Sequence, residues 1–201
     1  MQKILGTWLS VLALALSYDA YAAGIPKSEV AVVLIDMQPG FYKRGGVVGS
    51  QGLKDLVAEQ SKLLNWAVQE GVPVLIFEYS GFQPTNISLT DLLVGSTFKA
   101  ITKYEDDGFG YDSHDEAVQT LDSWGAKTLI AAGINGPYCV RSTVLGALAA
   151  GYDVISSPAI TGNINHNPPT YPNTTWYSPR NKFTILPDLA SILALIDVST
   201  P

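Results

Sequence analysis

Apolar and polar positions along this chain follow two different periods, and the switching between them predicts the architecture. Val30-Ala-Val-Val-Leu-Ile35 is an uninterrupted apolar, β-branched run that stops at Asp36, the pattern of a central strand covered on both faces. From Leu53 to Val68 the apolar residues Leu53, Leu56, Val57, Leu63, Leu64, Ala67 and Val68 recur at helical spacing, and Gly71 follows as a stop. Val74 to Phe77 reads as a second buried strand and Thr97 to Thr102 as a short third. Asp115 to Trp124 reads as a helix, Lys127 to Ala132 as a strand, Tyr138 to Ala150 as a helix and Tyr152 to Ser156 as a strand. A last short strand over Phe183 to Leu186 precedes a helix from Leu189 to Ile196.

Strands alternating with helices predict an α/β fold, a mostly parallel, doubly wound sheet flanked by helices on both faces in a three-layer, Rossmann-like arrangement. Ligands of such sheets sit outside the carboxyl ends of the strands, so residues there are the first candidates for chemistry. Two stretches break the rhythm. Gly81 to Ser96 is loop-rich with one short helix, and Thr161 to Asn181 is rich in Asn, Pro and aromatics with no period. A long aperiodic segment in a compact domain is usually functional or interfacial.

At the N-terminus, Lys3 precedes an apolar run from Ile4 to Leu16, and Ala20-Tyr21-Ala22 supplies small residues in an A-x-A pattern. This predicts a signal peptide over residues 1–22, an exported (periplasmic or secreted) protein, and one domain over residues 23–201. The apolar run is shorter than the roughly 20 residues of a spanning helix. The 201 residues, 47% of them hydrophobic, suffice for one sizeable core. A net charge of −6 with no basic cluster gives no footprint for nucleic acid or an anionic membrane surface. The expected partners are a small-molecule substrate and further copies of the chain in a homo-oligomer.

Charge and composition matter most at three strand ends. Asp36, closing the first strand, suits a general base, a metal ligand or a helix cap. Lys103 follows the third strand, where a solitary lysine is most often a surface charge. Cys139, the only cysteine, stands in "GINGPYCV" between a strand and a helix, and it has no second cysteine with which to form an internal disulfide. Pro137 fits a first helical turn, and the N–H groups and partial positive charge of a helix start stabilise a thiolate. A small apolar packing residue is the alternative.

These residues lie in three blocks, "VAVVLIDMQPGFY", "TKYEDDGF" and "LIAAGINGPYCVRSTVLGALAAGYDV", whose order and spacing resemble the isochorismatase-like cysteine hydrolases. That family includes nicotinamidases, N-carbamoylsarcosine amidase and ureidoacrylate amidases. The resemblance implies a catalytic triad of Asp36, Lys103 and Cys139. It also implies a cis peptide at Ile134–Asn135 and an oxyanion hole made by the backbone N–H groups of Asn135 and Cys139. The residue types fit independently: Asp36 takes the thiol proton, Lys103 favours the charged forms, and the thiolate attacks a carbonyl. Substrate contacts are expected among Gln38, Phe41, Glu78, Tyr79, Tyr104, Phe109 and Tyr138, with Glu78 either orienting a substrate group or capping the neighbouring turn.

The chain departs from the family in places. Nicotinamidases carry a histidine-containing metal site around the second strand, where "VLIFEYSGFQPTN" has none; the two histidines are His114 and His166. No metal and no cofactor are expected, and nicotinamidase activity is not expected either. Ser157-Pro158-Ala159 stands where many members have Asp-Ala. The expected function is hydrolysis of a C–N bond in a small amide or ureido compound through a thioester. The competing readings are an acyl hydrolase acting on esters and a catalytically silent binding or scaffold protein.

Overall fold

The computed structural model describes residues 24–44, 51–162 and 182–197. The signal peptide expected over residues 1–22, His166 and nearly all of the expected 161–181 loop lie outside these described residues. Six strands form one parallel sheet: β2 (Val30–Ile35), β3 (Val74–Tyr79), β4 (Phe98–Lys103), β5 (Thr128–Ile134), β6 (Asp153–Gly162) and β7 (Phe183–Ile185). Their order is β4-β3-β2-β5-β6-β7, and every neighbouring pair is parallel. The helices are α1 (Pro39–Arg44), α2 (Gln51–Glu70), α3 (Ile87–Thr90), α4 (His114–Ser123), α5 (Arg141–Ala149) and α6 (Leu189–Leu193). A separate two-stranded pair, β1 (Ile25–Pro26) with β8 (Ile196–Asp197), joins the two ends of the domain.

The expected doubly wound sheet is present, and the pleat explains its three layers. Val30, Val32 and Leu34 of β2 enter a core shared with Leu56, Leu63, Leu64 and Ala67 of α2 and with Leu189 and Ile192 of α6. Ala31, Val33 and Ile35 face the other way, onto Ala117 and Leu121 of α4 and Val144 and Ala147 of α5. Because both faces are covered, all six residues of β2 are buried, which is why its sequence is continuously apolar rather than alternating. β4 lies at the sheet edge and does alternate, with Ile101 and Lys103 buried between exposed neighbours.

Three elements differ from expectation. The run Gly136–Val140 is a π-helical turn, and the α-helix begins only at Arg141. β6 continues to Gly162, past the expected end at Ser156. Its pairing with β5 jumps from Ala131–Ser156 to Gly133–Thr161, so Ser157 to Ile160 form an irregularity within the strand. Pro158, with no N–H to donate to a ladder, sits inside that irregularity. The expected final helix ends at Leu193, and Ile196 turns into β8 instead, its backbone register set by Ile25.

Candidate active site

The chain builds β2, β3 and β4 outward on one side and β5, β6 and β7 on the other, so the winding reverses between β2 and β5. A crevice opens at the carboxyl ends of two such adjacent strands. Asp36 and Asn135 are the residues that follow those two ends. Asp36 takes a left-handed backbone conformation, φ 52°, which short polar residues tolerate, and its N–H donates to Phe77 O at 3.0 Å.

On the β5 side, Gly133 approaches β2 so closely that a Cβ there would lie 2.2 Å from Ile35 O, and its φ of 142° also favours glycine. The Ile134–Asn135 peptide is cis, as the resemblance implied. Asn135 O then accepts from the N–H groups of Tyr138 and Val140, both at 3.1 Å, closing the wide turn that contains Pro137 and Cys139. The turn folds the thiol back over the sheet, where Cys139 is 3% exposed among Phe109, Val140 and Val144.

Lys103 reaches the same point from two strands away. Its Nζ lies 3.0 Å from Asp36 Oδ2, and neither side chain has exposed surface. The ammonium also donates to the carbonyls of Glu105 at 3.0 Å and Asp106 at 3.1 Å and sits 4.6 Å above the centre of the Tyr79 ring. A buried lysine needs this full set of partners. The Cys139 thiol donates to Asp106 Oδ1 at 3.4 Å, and Asp36 lies near enough to the thiol that each perturbs the other's ionisation. The sequence-expected trio of Asp36, Lys103 and Cys139 therefore meets in one buried cluster.

The electrostatics differ from those of a preformed thiolate. Burial pushes the Cys139 thiol well above its ordinary range, the Asp36 charge pushes it further, and Lys103 opposes them. The helix-start argument for a stabilised thiolate does not prevail: the sulfur sits in a turn before the helix and has two carboxylates beside it. Burial also raises the Asp36 carboxyl, against the pull of Lys103 and of the neighbouring Cys139 thiol. A protonated thiol beside a carboxylate whose proton affinity is raised is an arrangement ready for proton transfer.

The seven expected substrate-contact residues divide by environment. Gln38 is buried, and its amide is committed to the backbone: Nε2 donates to Tyr79 O at 3.1 Å and Gln83 O at 2.8 Å, while Oε1 accepts from Tyr79 N–H at 2.7 Å. Glu78 accepts from Thr85 N–H at 2.7 Å, which is the turn-capping alternative. Phe109 packs in the core against Phe77 and Tyr152. Phe41 and Tyr79 are half-buried and share an aromatic cluster with Phe82, which stacks on Phe41 at 4.3 Å. Tyr104 and Tyr138 are 61% and 54% exposed.

Asp106 was not singled out by the sequence. It belongs to the run Glu105-Asp106-Asp107, which reads as solvated charge, and its only local signal is its place three residues after Lys103. His114 pairs with the adjacent Asp115 at 3.2 Å on the surface. Among the described residues no group of three or more His, Cys, Asp or Glu side chains is disposed to hold a metal ion. Among them, too, no helix is long and apolar enough to cross a membrane.

Residues 30–158 match the isochorismatase domain model. No curated protein matches the chain significantly. Among solved structures, the chain is similar to the YcaC gene product of Escherichia coli, described as an octameric hydrolase of unknown specificity. The identity is 18%, 86% of this chain and 81% of that one are covered, and the TM-score is 0.66. It is also similar to N-carbamoylsarcosine amidase from Thermoplasma acidophilum, at 19% identity over 79% of this chain and 96% of that one, with a TM-score of 0.60. A pyrazinamidase of Pyrococcus horikoshii, solved in complex with zinc, is similar at 19% identity over 79% and 99% of the two chains, with a TM-score of 0.59.

Proposed function

This chain belongs to the isochorismatase family of hydrolases, and we propose that it cleaves a C–N bond of a small amide or ureido compound through a thioester on Cys139. The observation that carries the proposal is the meeting of a buried thiol with Asp36 and Lys103 at the winding reversal of the sheet. In the proposed cycle Asp36 takes the thiol proton as the sulfur attacks the substrate carbonyl carbon. Lys103 holds the carboxylate in place and offsets the negative charge that develops on the sulfur. The backbone N–H groups of Asn135 and Cys139 are the donors assigned to the oxyanion.

Collapse of the tetrahedral adduct breaks the C–N bond, and Asp36 returns its proton to the departing nitrogen. Water then attacks the thioester carbonyl and gives a proton to Asp36. The sulfur leaves and is reprotonated from the same carboxyl, which restores the starting state. The proposal extends to export, supported by the segment over residues 1–22, and to a homo-oligomer, supported by the octameric description of the Escherichia coli relative.

The test is a screen of the purified protein against small primary amides, ureides and esters beside its Cys139→Ala variant. Hydrolysis of an amide or ureide lost by at least a thousandfold in the variant is the expected result. Hydrolysis retained by Cys139→Ala rules out the thioester route.

A further inference from the structure

Asp106 is the feature of this site for which the triad chemistry has no use. Its Oδ1 lies 3.4 Å from Cys139 Sγ and the residue is exposed, whereas Asp36 is wholly buried. The sulfur thus has two carboxylates near it, but the two are not equivalent. Asp36 is paired with the Lys103 ammonium at 3.0 Å. Asp106 offers Lys103 only its backbone carbonyl, so its side-chain charge is not neutralised by that lysine. Its neighbours add to the same sign: Glu105 Oε1 accepts from Tyr111 N–H at 2.9 Å and Asp107 Oδ1 accepts from Phe109 N–H at 2.8 Å. The field reaches the aromatic wall as well, since Asp106 is among the charges that raise the Tyr79 phenol, after burial.

We propose that Asp106 is a specificity-determining residue that makes this site accept neutral or cationic acyl compounds with an N–H donor beside the carbonyl and reject those with an anionic group there. The inference rests on the thiol chemistry proposed for Cys139 and narrows its substrate class. When the carbonyl carbon meets the sulfur, the thiol no longer occupies Asp106 Oδ1, and the substituent of the carbonyl on the solvent side takes its place. An amide or ureido N–H there donates to the carboxylate. A carboxylate or sulfonate there meets a like charge at close range in a partly desolvated crevice.

Two thiol reagents of equal length and opposite charge test this without requiring turnover: 2-aminoethyl and 2-sulfonatoethyl methanethiosulfonate. In each, the Cys139 sulfur forms a disulfide with the reagent's sulfenyl sulfur and methanesulfinate leaves. The preference for the cationic reagent over the anionic one, at pH 8 and low salt, is expected to exceed that of 2-mercaptoethanol by about tenfold or more, the order expected of a unit charge at this range. Asp106→Asn is expected to remove about tenfold of that preference, and Glu105→Gln about twofold, because its carboxylate is not on the sulfur. High salt should compress all of these ratios.

A wild-type preference equal to that of 2-mercaptoethanol overturns the proposal. So does a preference unchanged in Asp106→Asn, or one lowered equally by Glu105→Gln. Failure of both reagents to label the wild-type protein while 2-mercaptoethanol is consumed also overturns it, since nothing of that size would then reach the sulfur past Asp106. These outcomes are independent of the hydrolytic reading, which stands or falls on Cys139→Ala.

Discussion

Lys103 Nζ lies 3.0 Å from Asp36 Oδ2 with both side chains fully buried, so each charge depends on the other for its place in the core. Removing one member leaves the other uncompensated, and losses of about 3–5 kcal/mol are usual for such a deletion. Lys103→Met is expected to lower stability by about that amount in urea unfolding. The double variant Lys103→Met/Asp36→Asn is expected to recover part of the loss but not all of it, because Lys103 also donates to the carbonyls of Glu105 and Asp106. Additive losses in the double-mutant cycle would show the pair to be uncoupled.

Asp36 opposes thiol ionisation and yet serves as the proton acceptor in the proposed cycle. Its charge is among the causes that raise the Cys139 thiol. Asp36→Asn is therefore expected to shift the thiol titration downward while lowering kcat by about 10²–10⁴-fold. Iodoacetamide labelling against pH reads the first effect and steady-state hydrolysis the second. A thiol titration that moved upward in Asp36→Asn would contradict the assigned electrostatics.

The wild-type thiol is raised from an ordinary value of 9.0, so the folded state holds this proton more tightly than the unfolded one. Labelling by iodoacetamide is expected to be slow at neutral pH and still rising above pH 9. By linkage, the stability that this group contributes is complete below about pH 9 and is lost as pH rises toward the folded-state value. Urea unfolding of wild type and Cys139→Ala at pH 8 and pH 10 checks the sign: the wild type should lose more stability over that interval.

Gln38 holds the start of the loop after β3 with three hydrogen bonds from a buried amide. Gln38→Leu leaves the Tyr79 N–H without its partner and is expected to cost about 2–3 kcal/mol, by the usual penalty for an unsatisfied buried group. Its effect on kcat/KM should follow the displacement of Tyr79 rather than the loss of a substrate contact. The same fractional loss of activity for chemically different substrates would show this.

Gly133→Ala would set a Cβ 2.2 Å from Ile35 O at a φ of 142°. Loss of soluble protein, or destabilisation above about 3 kcal/mol, is expected from the clash and the backbone cost together. Gly71→Ala is a fitting control, because it too has positive φ, 70°, but opens on empty space. Thermal unfolding of the two variants separates the clash from the backbone term.

The elements and the places of Asp36, Lys103 and Cys139 beside strand ends were legible in the sequence because their signals are local. A continuous apolar run such as Val30–Ile35 needs cover on both faces, and the strand ends it defines are where Asp36 and Lys103 stand. The Gly-Ile-Asn-Gly-Pro turn marks a sharp change of direction before Cys139 for the same reason. Burial, charge and proximity are not local. Only the packing of β2 against β5 brought Asp36 to the thiol, and only the fold of the segment after β4 set Asp106 within hydrogen-bonding distance of it. The desolvation of that crevice, which no residue pattern encodes, raises the thiol above its ordinary range. Sequence periodicity thus determined which residues end the strands, while tertiary structure decided which of them touch and how each holds its proton.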